Sequence, residues 1–177
     1  MNTEHTDLIL FEEVQRFRQP VLWAFTIGCS LFVAGILAYG LYRQVIQGHP
    51  WGDRPMSDAG LIRAALIGCG LAAALPLFFF HLKLIVRVTR GRLRVKFFPF
   101  VNQTIPLDRV ARWEARVYHP VREYGGWGIR WGGKRGWAYS VSGNLGVQLE
   151  FQDGKRLLIG SRRADDLVRA LERAREA

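Results

Sequence analysis

Cysteine and histidine are scarce in this chain: its 177 residues include two cysteines and four histidines. Cys29 and Cys69 both sit inside apolar runs, which excludes a disulfide framework and provides no metal-ligand spacing. His5, His49, His81 and His119 are scattered, and no acid pair or nucleophile–base spacing accompanies them. Asp165 and Asp166 fall where a helix N-terminus explains them without catalysis. The sequence therefore predicts no metal, no cofactor and no enzymatic activity, leaving a site assembled only in space as the enzyme alternative.

Charge is missing from two long stretches. Neither "VLWAFTIGCSLFVAGILAYGL" (21–41) nor "AALIGCGLAAALPLFFFHL" (64–82) contains Asp, Glu, Lys or Arg. A helix over the first would be about 31 Å long, the thickness of a bilayer's hydrocarbon core. The remaining chain is too small to enclose two such helices as soluble core. A cleaved signal peptide fits worse still, given the length of the first run, its acidic lead-in and its lack of a small-residue cleavage site. The expectation is a transmembrane hairpin over 21–82, with spans 21–41 and 64–82 and an outer loop over 42–63. Ala24, Gly28, Ala34, Ala38, Gly68, Ala72 and Ala74 would let its helices approach closely. Pro76 would leave the carbonyl of Ala72 without its helical donor and bend the second helix.

Acidic residues are few after the second run. Residues 1–82 hold five Lys/Arg against six Asp/Glu, whereas residues 83–177 hold twenty against nine, which places the net charge of +10 in the second half. Such a half suits nucleic acid or anionic lipid, and a membrane anchor favours lipid. Lys83, Arg87, Arg90, Arg92, Arg94 and Lys96 crowd the exit of the second span, while the loop over 42–63 carries only Arg43, Arg54 and Arg63. The positive-inside rule then places both termini in the cytoplasm. In the opening segment Leu8, Phe11, Val14 and Phe17 recur about every three residues, which predicts an interfacial amphipathic helix over 1–20.

From residue 84 the period becomes two. Leu84, Val86 and Val88, then Leu93, Val95 and Phe97, alternate with polar residues on either side of "RG". Pro99 and Pro106 bracket a loop. "RVARWEARVY" (109–118) reads as strand from its Val, Trp and Tyr content, with helix as the alternative. Leu145, Val147, Leu149 and Phe151 alternate up to the "DG" turn at 153–154. The chain closes on a helix with Ala164, Leu167, Val168, Leu171 and Ala174 on one stripe and Ser161 as N-cap.

"YGGWGIRWGGKRGWAY" (124–139) is the most unusual stretch. As a dinucleotide loop it has Trp131 where the third glycine belongs, and as a P-loop it has Arg135 where a hydroxyl must hold magnesium. Its alternation predicts sheet instead. Trp127, Ile129 and Trp131 share one core face, so truncating either tryptophan would cost about 3–5 kcal/mol. The same alternation argues against a base-stacking platform, and no nucleic-acid partner is expected.

Seven short antiparallel strands capped by one helix is a pleckstrin-homology-like pattern. With "YHPVREYGGWGIR", "GWAYSVSGNLGVQLEFQDGKRLLIGS" and, more loosely, "FEEVQRFRQ", the chain resembles uncharacterised bacterial membrane proteins that join a two-helix hairpin to a bacterial pleckstrin-homology-like domain. The first two segments cover about a quarter of the chain, and the hairpin matches only as a hydropathy pattern. The resemblance implies an α+β membrane protein of the inner membrane, with a seven-stranded β-barrel or sandwich over 83–177. It carries over no catalytic or binding residue. The expected function is a membrane-anchored binding or scaffold module, the alternative being an enzyme or an accessory subunit of a transport complex. Its candidate basic patch is Arg87, Arg90, Arg92, Arg94, Lys96, Arg130, Lys134 and Arg135. The expected partners are the bilayer, anionic phospholipid headgroups, and a membrane or cytosolic protein or a second copy of the chain.

Overall fold

The computed structural model describes residues 8–176 and divides into two units. One runs from Arg18 to His81; the other joins the residues up to Phe17 with those from Leu82 onward. The second unit begins before the first one in sequence, which was not expected. Phe11–Arg16 form strand β1, and Lys83–Thr89 form strand β2, its antiparallel neighbour, with Arg16 opposite Lys83 and Phe11 opposite Val88. The predicted interfacial helix over 1–20 is thus corrected to a strand over 11–16; residues 1–7 of that prediction lie outside the described residues. The governing period is two. Phe11 and Gln15 are buried, while Val14, part of the supposed helical stripe, is 51% exposed.

The helical unit contains α1 (Pro20–Leu41), which continues through a wider turn to Ile46, and α2 (Asp58–His81). Both are long and apolar enough to cross a membrane, and only 6% and 11% of their apolar windows are buried. A core helix of a soluble protein would be largely enclosed, so this exposure supports membrane association. Pro76 does lie inside α2. The carbonyl of Ala72 is met from the other helix: the Ser30 hydroxyl lies 2.6 Å from it and 2.8 Å from Thr26 O, its one proton serving either. Of the small residues expected at the contact, Gly68 sits against Leu37, whereas Gly28 faces open space. Gly40 is a further close approach, since a Cβ there would fall 2.6 Å from the Trp51 ring.

In the second unit β3 (Arg92–Phe98) and β4 (Val101–Pro106) complete a four-stranded sheet in the order β1-β2-β3-β4. Leu84, Val86, Val88, Leu93 and Val95 line its inner face and are fully buried, each contributing about 1.5–3 kcal/mol. Residues 101–106, read as loop from the flanking prolines, are therefore strand. Asn102, Gln103 and Thr104 are all exposed, so this edge strand shows no apolar alternation.

The other sheet contains β5 (Val110–Val117), β6 (Gly128–Trp131), β7 (Trp137–Ser140), β8 (Leu145–Phe151) and β9 (Arg156–Gly160), in the order β5-β8-β9-β7-β6. Strands β7 and β9 run parallel. Leu157, Leu158 and Ile159 are buried on both faces of β9, which explains the apolar run in "KRLLIG". A short helix, α3 (Pro120–Tyr124), brings Tyr124 beside Tyr118, and the pair packs on Ala138 and Leu158. The last helix, α4 (Ala164–Glu176), packs on β1, β2, β5 and β8 and so bridges the two sheets. Its buried stripe uses Ala170, while Val168 is half-buried. Nine strands in two open sheets among the described residues replace the expected seven-stranded barrel.

Strand β1 also ties the sheets together. Gln15 Nε2 donates to Gly160 O at 2.8 Å, the Ser161 hydroxyl donates to Glu13 Oε2 at 2.5 Å, and the Arg162 N–H donates to Glu13 Oε1 at 3.0 Å. A chain starting at Leu82 would lose all three bonds and the buried Phe11 and Phe17, a loss of about 3 kcal/mol or more. Replacing Arg18–His81 by Asn-Gly should join Phe17 to Leu82 as a two-residue hairpin and yield a folded soluble unit. Thermal melts should show it far more stable than a fragment of residues 82–177; equal melting temperatures would refute the role of β1. In the helical unit, Ser30→Ala should weaken the helix pair by about 0.6–1.7 kcal/mol, measured by unfolding in mixed micelles, because Ala72 O loses its cross-helix donor. An unchanged unfolding midpoint would show that this bond contributes nothing.

Candidate functional site

Alternation in β2 and β3 sends every second side chain to the outer face of the four-stranded sheet. The register sets Arg16, Lys83 and Phe98 in one row, Val14, Ile85, Lys96 and Asn102 in the next, then Glu12, Arg87, Arg94 and Thr104, then Thr89, Arg92 and Pro106. Among the described residues, six cationic side chains thus share one face with a single acid, Glu12, which pairs with Arg87 at 3.1 Å. Ile85, Arg87, Arg94 and Lys96 line a depression of about 170 Å³. The ammonium groups of Lys83 and Lys96 each lie 5.6 Å from the centre of the Phe98 ring, where the π face attracts them. Phe100, in the adjoining turn, is 60% exposed.

The predicted basic patch therefore divides. Arg87, Arg94 and Lys96 come together, and Arg92 lies one row further on. Arg90 sits in the turn between β2 and β3, where Gly91 N–H donates to Ala174 O. That turn is about 20 Å along the sheet from Lys83, so Arg90 and Arg92 stand farthest from the connections to α1 and α2. Arg130, Lys134 and Arg135 belong to the other sheet. Arg130 Nε donates to Trp127 O at 3.0 Å, and Arg135 Nε lies 3.8 Å from Glu123. Arg16 and Lys83 were not among the predicted residues, although the alternation Lys83-Ile85-Arg87 already points to the second.

The tryptophans require a larger correction. Ile129, Trp131, Trp137 and Tyr139 do share a face, as the register shows. Yet Trp127, Trp131 and Trp137 are 37%, 60% and 45% exposed, and only Tyr139 is buried. Strand β6 forms the edge of its sheet, so its side chains overhang the core. Trp127 instead anchors a loop, its indole N–H donating to Gly143 O at 2.8 Å. Gly136 makes the hairpin possible: its φ is 78°, and a Cβ would fall 2.0 Å from Arg156 O. Trp131 and Trp137 pack against each other with ring centres 5.3 Å apart. With Tyr139 and Phe151 they line a groove of about 430 Å³, bordered by Lys134 and Lys155 and reaching Gln103 on β4.

Glu123 organises the opposite face of this sheet. Its carboxylate accepts Arg116 Nη2 at 2.9 Å and the His119 N–H at 2.7 Å. Burial pushes its pKa up, but these two donors and the charges of Arg116 and Arg135 outweigh burial and hold it below the usual glutamate value. No protein-family model, curated protein or solved structure matches this chain.

The depressed pKa has a defined consequence. Ionised Glu123 stabilises the fold above the unfolded-state value of about 4.3, and this contribution is lost as pH falls through the lower folded-state value. Glu123→Gln should cost about 1.5–3 kcal/mol near neutrality, the size of hydrogen bonds to a charged group. In pH-dependent melts the gap between wild type and variant should close on the acid side. A gap that stays constant from neutrality down through the carboxylate range would remove Glu123 from the acid sensitivity.

Proposed function

We propose that this chain is a membrane-anchored binding and scaffold module whose basic sheet face engages the anionic inner leaflet. In this reading α1 and α2 cross the inner membrane as a hairpin and both termini are cytoplasmic. The unit that brackets the hairpin is a pleckstrin-homology-like fold acting through binding rather than catalysis. The two mainly antiparallel sheets and the amphipathic α4 lying on them favour that fold, although the sheets stay open and one strand pair is parallel. The pairing of β1 with β2 supports an even number of crossings, whereas the orientation rests on flank charge. Neighbouring strands of one sheet lie on one side of a membrane, so the segment between them crosses an even number of times.

The observation that carries the reading is the cationic outer face, with six bases to one acid and Phe98 and Phe100 at one end. That end holds Arg16 and Lys83, the points where the chain leaves for α1 and returns from α2. Lys83 follows the last residue of α2 by two positions, at most about 7 Å of chain. Each Lys or Arg close to an anionic surface contributes about 1 kcal/mol, and Arg87 less because Glu12 already neutralises it. The exposed rings of Phe98 and Phe100 would insert at the acyl boundary while the cations stay at the headgroups.

The chain contains four lysines, Lys83, Lys96, Lys134 and Lys155, of which two lie on this face and two on the other sheet. In nanodiscs containing phosphatidylglycerol, amine labelling of Lys83 and Lys96 should slow several-fold relative to phosphatidylcholine discs. Lys134 and Lys155 should label equally in both, and added salt should abolish the difference. In intact cells an impermeant amine reagent should label none of the four. Equal labelling of Lys83 and Lys96 in the two lipids would refute the lipid contact, and labelling from outside would invert the topology.

A further inference from the structure

We infer that the groove beside β4 is a docking site for an extended, acidic segment of a partner protein, which adds to the sheet as a strand and places one large apolar side chain between the tryptophans. This surface borders the cationic sheet face and shares Arg94 and Lys96 with it, whereas its apolar wall and Lys134 lie outside that face.

The backbone of β4 provides the first part of the argument. Leu107 N–H donates to Gly91 O, which marks Gly91 and Leu107 as a hydrogen-bonded pair in the β3–β4 ladder. Antiparallel pairs alternate, so Ile105, Gln103 and Val101 are bonded to β3, whereas Asn102 and Thr104 direct their N–H and C=O groups to the free edge. Pro106 occupies the next outward position, where its missing N–H interrupts nothing. Near Pro106 the edge is covered, since Gln152 Nε2 donates to Asp108 O at 2.6 Å and Gln152 N–H to Arg109 O at 3.0 Å. Asn102, Gln103 and Thr104 are exposed. An uncovered strand edge of this kind is a template for another chain.

The side chains on either side of that edge define the occupant. A strand paired with β4 would direct the residue opposite Gln103 to the inner side, where Trp131, Trp137, Tyr139 and Phe151 form an apolar wall. Residues opposite Asn102 and Thr104 would point to the outer side, toward Lys96 and Arg94, which are the register partners of those two residues. The groove rim on the inner side carries Lys134 and Lys155 and, among the described residues, no acid; Asp153 lines the adjoining depression toward Thr104. Lys155 is held by Asp153 at 2.7 Å, but Lys134 has no ion partner among the described residues. Cations thus flank the edge on both faces and the apolar wall lies between them. The complement is a strand with acidic residues around a central aromatic or aliphatic one.

A displayed library of random peptides, panned on the full chain in phosphatidylcholine nanodiscs, tests this. Enriched sequences should carry several Asp or Glu around one aromatic or branched aliphatic residue. Their affinity should fall at least tenfold for Trp137→Ala and for Lys134→Glu. Lys134 is exposed, so its variant should keep the parent melting temperature. Trp137 is 45% exposed and packs on Trp131, so a control melt must show that its variant is folded at the binding temperature. Lys134→Glu carries the test if it is not. Bound peptide should also slow amide exchange at Asn102 and Thr104, but not at the already bonded Gln103. The inference is overturned if no sequence is enriched, if enriched sequences lack acidic residues, or if both variants bind them unchanged. Slower labelling of Lys134 and Lys155 on anionic discs without peptide would instead assign the groove to lipid. Because slower labelling of Lys83 and Lys96 reports the sheet face separately, either surface can fail alone.

Discussion

The pairing of β1 with β2 is the constraint on which the rest of the molecule depends. These strands are neighbours in space, yet the whole apolar hairpin lies between them in sequence. A strand pair of this kind is non-local, and its formation carries the loop-closure cost of the intervening chain. The contacts that offset this cost concentrate on β1. Phe11 and Phe17 are buried, Gln15 reaches β9, and Glu13 accepts from Ser161 and Arg162 at the entrance to α4. A carboxylate at that entrance also faces the positive end of the helix dipole. The short segment ahead of the first apolar helix is therefore structural, and the terminal helix is held by a strand nearly the whole chain away.

The helical unit meets a different demand. A proline within a helix leaves the carbonyl four residues earlier without its helical donor, and in an apolar helix a donor must come from elsewhere in the protein. The Ser30 hydroxyl provides one at Ala72 O, which makes the Pro76 irregularity part of the helix–helix contact. Gly68 against Leu37 and Gly40 against the Trp51 ring bring backbone and side chain together elsewhere. At the connecting turn Gln44 Nε2 donates to Met56 O and to Asp58 Oδ1, both at 2.8 Å. These polar groups are bonded within the unit, while large apolar side chains such as Val21, Phe25 and Phe32 are left on its surface.

Those parts of the fold in which one face is buried and the other wet were legible in the sequence. Strands β2, β3 and β8, the Asp153-Gly154 turn and the stripe of α4 all followed from alternation or helical spacing. Strand β4 was not legible because Asn102, Gln103 and Thr104 leave both of its faces polar. Strand β1 was misread because Leu8, Phe11, Val14 and Phe17 imitate a helical stripe, while the buried polar residue that shows the true period, Gln15, carries no apolar signal. For the tryptophans, alternation identified the shared face correctly, but period alone does not tell how far the core extends beneath it. Arg87, Arg94 and Lys96 could be placed together from the strand pattern. Their separation from Arg130, Lys134 and Arg135 could not, since that depends on which sheet each hairpin joins.

The two basic surfaces meet along one strand. The cationic face is the outer side of the four-stranded sheet, whereas Lys134 and Lys155 rim the groove on its inner side. Strand β4 takes part in both surfaces. Its side chains at 102 and 104 sit beside Lys96 and Arg94, and Arg94 Nε donates to Asn102 Oδ1 at 3.3 Å, while Gln103 turns into the groove. This edge strand gives the sheet face and the groove a direct connection. Its polar composition, which hid it in the sequence, keeps that edge soluble while no partner covers it.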